Sequence, residues 1–397
     1  MQLDQFPSMP DVTVPTTDAD TLAAQIDADE PLTLLDVRMT DEYETWHIEG
    51  PSVSTVNIPY IAFLEGEVPP QASEALPTDG RVTVVCAKGG ASEFVAGILA
   101  EAGYDVDHLA GGMQGWARVY ERTEITAHPG PATVYQYHRR SSGCLGYLVV
   151  GSEGAAVVDP LRAFAERYGE DATAAGAPLT VAIDTHVHAD HISAVPALAA
   201  DGVDARMSPG AIDRGVTHAG IAPLDDGERI DLGDATLTAV ATPGHTSGML
   251  SVLVDDATLL TGDGLFVDSV ARPDLEEGDA GAEPAAHQLY TSLQEQILPM
   301  DPATVIAGAH TSGDAPTAAD GTITAPLGQI IEAMPILTAS ESAFVTEVLR
   351  AMPPRPANYE RIIDINLGAD RADDATAFQL ELGPNNCAAS TDALTSD

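Results

Sequence analysis

Short apolar runs alternate with longer amphipathic stretches along the first third of the chain. "LTLLDV" (32–37) and "VTVVCA" (82–87) are continuous apolar runs of strand length. "TDADTLAAQIDADE" (17–30) and "ASEFVAGILAEAGY" (91–104) repeat apolar positions at helical spacing, the first with Thr17 or Asp18 placed as its N-cap. Such alternation predicts a small parallel α/β sheet. "GGMQGW" (111–116) predicts a turn and a short helix. The pattern weakens at "ERTEITAHPGPA" (121–132), where Pro and Gly mark a boundary. Beyond it, "TVYQYH", "CLGYLVVG" and "GAAVVDP" predict an antiparallel meander. Strands and helices are then expected to alternate to about residue 310, followed by a helix-rich segment. The reading divides the chain into a domain over 10–122, a linker over 123–131, a second domain over 132–340, an extension over 341–383 packed on it, and a fraying tail over 384–397.

Composition narrows the partners. The chain has 397 residues, 61 Asp+Glu against 17 Lys+Arg, and a formal charge of -44. That charge repels nucleic acid phosphates and anionic membrane surfaces, so neither is an expected partner. Acidic residues occur in every segment, as in a surface that stays soluble in concentrated salt, which points to a halophilic source. Cys86, Cys144 and Cys387 are far apart and form no C-x-x-C pair, an arrangement that suits a reducing cytosol. The start of the sequence has neither a basic nor an apolar leader segment, and no apolar run has the length of a membrane helix. A cytoplasmic location is expected. The oligomeric state stays open between a monomer and a homodimer.

Cys86 is placed at the end of a strand, with Ala87, Lys88, Gly89, Gly90, Ala91 and Ser92 leading into a helix. Adjacent glycines let successive backbone N–H groups point inward and cradle an anion at the helix N-terminus. Such a cradle stabilises a thiolate or a persulfide anion. Lys88 is the sole lysine of the chain and adds a positive charge there. An inert buried cysteine is the plain alternative. The runs "LLDVRMTDEYETWHIEGPSVSTVNIP" (34–59), "VVCAKGGAS" (84–92) and "LAGGMQGW" (109–116) together resemble the rhodanese family of sulfurtransferases. The resemblance implies that Cys86 is the catalytic cysteine and that Asp36, Arg38 and His47 brace the fold. The family's loop often carries an arginine where this chain has Ala91, and Lys88 is expected to supply that cation.

"IDTHVHADHISAVPAL" (183–198) presents His186, His188, Asp190 and His191 directly after a strand signal. "TPGHTSG" adds His245, "LLTGDGLF" adds Asp263 and "VIAGAH" adds His310, each after an apolar run. Ligands at strand ends converge on one edge of a sheet, where loops meet. His128, His138, His218 and His287 lie outside these motifs and are expected on the surface or in packing roles. The H-x-H-x-D-H…H…D…H series resembles the metallo-β-lactamase superfamily, which implies an αββα sandwich with the metal at one edge. Two ligand sets remain open. In one, His186, His188 and His245 hold a zinc, Asp190, His191 and His310 hold a second, and Asp263 bridges, a pair suited to hydrolysis of a thioester. In the other, His186, His245 and Asp263 form a 2-His-1-carboxylate face on one Fe(II), and His188, Asp190, His191 and His310 orient ligands and move protons.

"GDGLFVDSVARPDL" (262–275), "HQLYTSLQEQILPMDPATVIAGAH" (287–310) and "PPRPANYERIIDINLG" (353–368) resemble the persulfide dioxygenases, iron relatives of glyoxalase II. Arg272 is then a contact for a substrate carboxylate, or half of a buried ion pair with a nearby aspartate. The expected fold is α/β, a rhodanese-like parallel-sheet domain followed by the αββα sandwich. The expected function is oxidation of a low-molecular-weight thiol persulfide by O2 to sulfite, with one Fe(II) per chain. Cys86, Asp190 and His191 carry the catalytic roles, and thiosulfate or sulfite are further small-molecule partners. The alternatives are a glyoxalase II-type hydrolase with one or two Zn ions and a non-catalytic persulfide carrier or sensor.

Overall fold

The computed structural model describes residues 10–311 and 315–383. The expected fraying tail lies outside these residues, as does Cys387. The chain divides into two compact units, the first built chiefly from the residues up to Tyr120 and the second beginning at Glu121.

In the first unit, strand and helix alternate: β1 (Thr16–Thr17), α1 (Ala19–Asp27), β2 (Leu32–Asp36), α2 (Thr40–Thr45), β3 (Val53–Asn57), α3 (Pro70–Ala75), β4 (Val82–Val85), α4 (Gly90–Glu101), β5 (Val106–Leu109) and α5 (Gly112–Trp116). The five strands pair in parallel in the order β1-β5-β4-β2-β3. Asp18 caps α1 by accepting from Thr21 N–H, as its position predicts. Both faces of the sheet are covered, so its central strands read as unbroken apolar runs. Leu34 and Val85 pack with Leu22, Ile26 and Trp116 of α1 and α5. Leu35 and Val84, one residue away along each strand, pack on the other face with Phe94 and Leu99 of α4. Arg38 donates to the Asp36 carboxylate at 2.6 Å and to the carbonyl of Trp46, a buried brace at the end of β2. Strand β4 stops at Val85, so Cys86 opens the following loop rather than ending the strand.

The second unit holds two sheets. The first contains β6 (Glu121–Glu124), β7 (Thr133–Arg139), β8 (Cys144–Val150), β9 (Ala155–Val158), α6 (Ala165–Ala174), β10 (Leu179–Ile183), α7 (Val195–Ala200), β11 (Asp204–Met207), α8 (Pro209–Asp213) and β12 (Ile221–Pro223). Its order is β12-β11-β10-β9-β8-β7-β6, parallel from β9 to β12 and antiparallel between β8 and β9 and between β6 and β7. Residues 121–124, read from sequence as the domain boundary, thus form its edge strand.

The second sheet contains β13 (Arg229–Asp231), β14 (Thr236–Ala241), β15 (Leu250–Val254), β16 (Thr258–Gly262), β17 (Val305–Gly308) and β18 (Ala325–Pro326), with α9 (Gly278–Ser292) between β16 and β17. Strands β13 to β16 run antiparallel with no helix between them, a correction to the strand–helix alternation expected there. Strand β17 returns parallel to β16. Helices α10 (Leu327–Ala333), α11 (Glu341–Arg350), α12 (Tyr359–Leu367) and α13 (Asp374–Leu380) follow. The sheets share one core, in which Leu145, Val149, Val158 and Ile183 meet Leu237, Val252, Leu260 and Ile306. Among the described residues no helix is long and apolar enough to cross a membrane.

The strand-to-helix loop after β4 is held by the turn ahead of α5. Met113 N–H donates to the Cys86 carbonyl at 2.8 Å and Gln114 N–H to that of Ala87 at 3.1 Å. Gly112 makes this approach possible: its φ is +56°, and a Cβ there would sit 2.0 Å from the Cys86 carbonyl oxygen. The substitution Gly112→Ala is expected to destabilise the first unit by about 2–3 kcal/mol and to displace the Cys86 loop. A calorimetric transition of that unit at the wild-type temperature would contradict this.

Candidate metal centre and cysteine loop

The metal-capable side chains all lie beyond the C-terminal ends of strands. His186, His188, Asp190 and His191 follow β10, His245 follows β14, Asp263 follows β16 and His310 follows β17. Parallel pairing of β16 with β17 and of β9 with β10 points these ends to one edge. His186, His245 and Asp263 meet there, each almost fully buried. Asp263 Oδ2 lies 3.6 Å from His186 Nε2 and 3.5 Å from His245 Nε2. The two imidazoles stand edge to face with centroids 4.9 Å apart.

The tautomers follow from the partners behind each ring. His245 Nδ1 is 2.8 Å from the Arg272 carbonyl, which can only accept, so Nδ1 carries the proton. Thr185 Oγ1 donates its single proton to Asp159 Oδ2 at 3.0 Å and therefore accepts from His186 Nδ1–H at 2.9 Å. Both Nε2 atoms then present lone pairs toward the Asp263 carboxylate. Neither has a hydrogen-bond partner, although both are buried. Converging acceptors in a dry site repel one another unless a cation lies between them. Donors about 3–3.5 Å apart suit an ion held at about 2.0–2.2 Å from each, so these residues fit a metal. Burial, with His188 and His245 adding to it, holds the His186 pKa well below 6.5. Burial also lowers that of His245 to about 4. Both rings are neutral and ready to ligate at physiological pH.

The remaining motif residues face the centre differently. His188 Nε2 donates to Asp159 Oδ1 at 3.1 Å and lies 3.6 Å from Asp184. Burial opposes a charge on His188, but the two carboxylates overcome it and raise its pKa well above 6.5. Asp190 Oδ2 accepts from His191 Nδ1–H at 3.0 Å. Burial disfavours the Asp190 carboxylate, but His191, with His188 and His310 adding to it, outweighs burial and lowers the pKa well below 3.8. His191 Nε2 is left buried without a hydrogen-bond partner. His310 Nε2 lies 2.9 Å from the Ser142 carbonyl and must donate to it. Arg272 is 1% exposed, and its guanidinium bonds Asp274 at 2.8 Å and the carbonyls of Pro353 and Pro354. Its guanidinium thus forms a buried ion pair with Asp274.

Among the other histidines, His128 bridges Thr258 and Asp255, His218 bonds the Ile365 carbonyl and His287 meets Glu341. In the first unit, Gly89 N–H donates to Cys86 Sγ at 3.0 Å, the thiol donates to Ser92 Oγ at 3.3 Å, and Ser92 donates to the Gly89 carbonyl. Gly90 begins α4, so the sulfur sits at that helix's N-terminus. Cys86 is 4% exposed, whereas Lys88 is exposed at the mouth of the loop.

Three supporting residues escaped the sequence reading. Asp159 directly follows β9 and binds His188, Thr185 N–H and, through Thr185, His186. It follows the same rule as the ligands, an acidic residue just past an apolar strand. Asn366 on α12 donates to the carbonyls of His188 and His191 at 2.9 and 2.8 Å and accepts from Ser193 N–H at 3.0 Å. Glu381 accepts from Ile192 N–H at 2.8 Å. No local pattern announces an asparagine that acts on a loop 173 residues away.

Residues 18–119 match the family model of the rhodanese-like domain, and residues 141–310 match that of the metallo-beta-lactamase superfamily. The chain is 29% identical over 196 residues to the mitochondrial persulfide dioxygenase ETHE1 of Bos taurus, spanning 47% of this chain and 72% of that protein. It is 37% identical over 164 residues to a hydroxyacylglutathione hydrolase of Acidiphilium cryptum (strain JF-5), spanning 41% of this chain and 63% of that one. The crystal structure of ETHE1 from Myxococcus xanthus matches with a TM-score of 0.51 and 25% identity, over 59% of this chain and 98% of that one.

The amide of Asn366 holds the backbone of the metal-motif loop at His188, His191 and Ser193. Its replacement in Asn366→Ala is expected to weaken metal binding about 10–100-fold while the fold stays intact, measured by chelator competition alongside circular dichroism. Wild-type affinity in the variant would show that the loop keeps its shape without the amide.

Proposed function

The chain belongs to the metallo-beta-lactamase superfamily and carries a rhodanese-like domain ahead of that part; on this premise we propose that it is a persulfide dioxygenase coupled to a sulfurtransferase. The observation that carries the reading is the donor set. Two neutral imidazoles and one carboxylate converge on one point, while His188 turns Nε2 to Asp159 and His310 turns Nε2 to a backbone carbonyl. Three donors with open positions suit a mononuclear ferrous ion. The similarity to ETHE1 supports the same reading.

The reaction is RSSH + O2 + H2O giving RSH, sulfite and two protons. The terminal sulfur loses four electrons and O2 gains them. His186, His245 and Asp263 would hold a ferrous ion, which would supply the electron chemistry that O2 requires. The protein supplies proton handling. Asp190 stays ionised and holds His191 Nδ1–H, which leaves His191 Nε2 as the proton acceptor for the water that is consumed, and as the donor to the departing thiolate. Burial of the ligands excludes bulk water from the centre.

The first unit performs the matching sulfur transfer. Cys86 Sγ attacks the outer sulfur of thiosulfate, the S–S bond breaks and sulfite leaves; a thiol acceptor then takes that sulfur and regenerates the cysteine. Gly89 N–H stabilises the sulfur anion, and Lys88 attracts the dianionic donor. A persulfide is the shared intermediate of the two units. A zinc hydrolase of thioesters is the second reading, favoured by the similarity to hydroxyacylglutathione hydrolase, but it shares no intermediate with a sulfurtransferase.

Glutathione persulfide is expected to support O2 uptake by the iron-loaded protein, with sulfite formed in step. Cys86→Ser is expected to lower thiosulfate-to-thiol transfer on the order of a thousandfold or more and to leave oxidation of added persulfide intact. An oxygen electrode and a sulfite assay read both. Iron-replete protein that consumes no O2 with any low-molecular-weight persulfide would rule the dioxygenase out.

A further inference from the structure

We propose that Arg355, in the segment between α11 and α12, is a positioning residue for His245: it fixes the backbone carbonyl that sets that ring's tautomer and aim. The inference deepens the reading of His245 as a metal ligand and rests on it, whichever ion is bound.

His245 Nδ1 donates to the Arg272 carbonyl at 2.8 Å. That carbonyl belongs to an irregular loop over 263–277, between β16 and α9, which also carries Asp263. The loop meets the His245 turn a second time, where Ser247 Oγ donates to Glu276 Oε1 at 2.7 Å. A loop with few backbone bonds of its own holds a carbonyl in place only if side chains tie it down.

The ties come from residues 353–355. Arg272 Nη1 and Nη2 donate to the carbonyls of Pro354 and Pro353 at 3.0 and 2.9 Å. In return, Arg355 Nε donates to Asp274 Oδ2 at 2.8 Å, and its Nη2 reaches Asp279 in the first turn of α9. Asp274 Oδ1 accepts from Arg272 Nε at 2.8 Å, so one carboxylate joins the two guanidinium groups. The two halves of the Arg355 grip differ in weight. The Asp279 side chain is 91% exposed and its pairing is screened, whereas that of Asp274 is 4% exposed. Burial works against the Asp274 carboxylate, but Arg272 and Arg355 outweigh it and hold its pKa below 3.8. Removal of Arg355 leaves this carboxylate with one cation instead of two and loosens the stretch that carries the Arg272 carbonyl.

Arg355 also lies over the ring of Tyr359, 6.0 Å from its centroid. Tyr359 opens α12, the helix from which Asn366 holds the His188 and His191 carbonyls. One segment thus steadies the loops of both imidazole ligands. An ion pair that served the fold alone would change the unfolding temperature and leave the ring's aim untouched.

The test uses the full chain, metal-free, titrated with Co(II) against a chelator. The d–d absorption of the saturated site reports how the ligands are arranged. Arg355→Met keeps an apolar stem and loses the charge. It is expected to bind Co(II) about tenfold more weakly than wild type and to shift the d–d bands. Arg355→Lys keeps the charge without the fork and should fall between the two. Wild-type affinity and bands in Arg355→Met overturn the proposal. So does weaker binding with unchanged bands, which would make Arg355 a stabiliser of the fold alone. Should Arg355→Met fail to fold, Arg355→Lys carries the test: a smaller band shift is expected, and wild-type bands overturn the proposal. Neither readout involves a persulfide, so the role of Arg355 can fail while dioxygenase activity stands, and the reverse.

Discussion

A neutral imidazole has one N–H to give, and His186 and His245 both give theirs backward into the protein. The acceptors are Thr185 Oγ1 and the Arg272 carbonyl, and each is itself fixed. Thr185 is tied to Asp159 at the end of β9. Arg272 is anchored by its buried guanidinium to Asp274, which also binds Arg355. These back-side bonds leave two Nε2 lone pairs facing a carboxylate in a site without water's screening. Such a cluster is stable only around a cation, and the rest of the edge is arranged about that requirement. His188 faces two carboxylates, Asp159 and Asp184, and the loop carrying the motif is held by Asn366 and Glu381 from the C-terminal segment.

Much of this was legible because the ligands obey a local rule: an apolar strand, then a polar residue at its end. That rule gave His186, His245, Asp263 and His310 their places, and in the first unit it put Cys86 between a strand and a glycine-led helix. It applies equally to Asp159, which went unread because an aspartate before a proline looks like an ordinary turn. What no pattern carries is direction. The sequence puts His310 at the edge but does not say that its Nε2 turns to Ser142, nor that His188 faces Asp159 through Nε2. Those depend on contacts between residues well over a hundred positions apart in the first case. Asn366 and Glu381 are illegible for the same reason. The run β13 to β16 was misread because its polar hairpin turns, such as "DLGDAT", resemble loops between strands and helices.

The proposed function gives the two units a shared chemistry of sulfur anions met by different means. In the first, a backbone N–H and a helix N-terminus stabilise a sulfur that forms covalent bonds. In the second, two imidazoles and a carboxylate form a metal-capable face. Under the proposed function, a cysteine persulfide and a low-molecular-weight persulfide would exchange the same atom, which would give one chain a reason to hold both sites.

The central claim is that the buried face of His186, His245 and Asp263 holds one redox-active ion. Metal analysis of protein purified without oxygen tests it most directly. The account predicts about one iron per chain, lost when any of the three residues is replaced by alanine. About two tightly held zinc ions per chain, with rapid thioester hydrolysis, would contradict it.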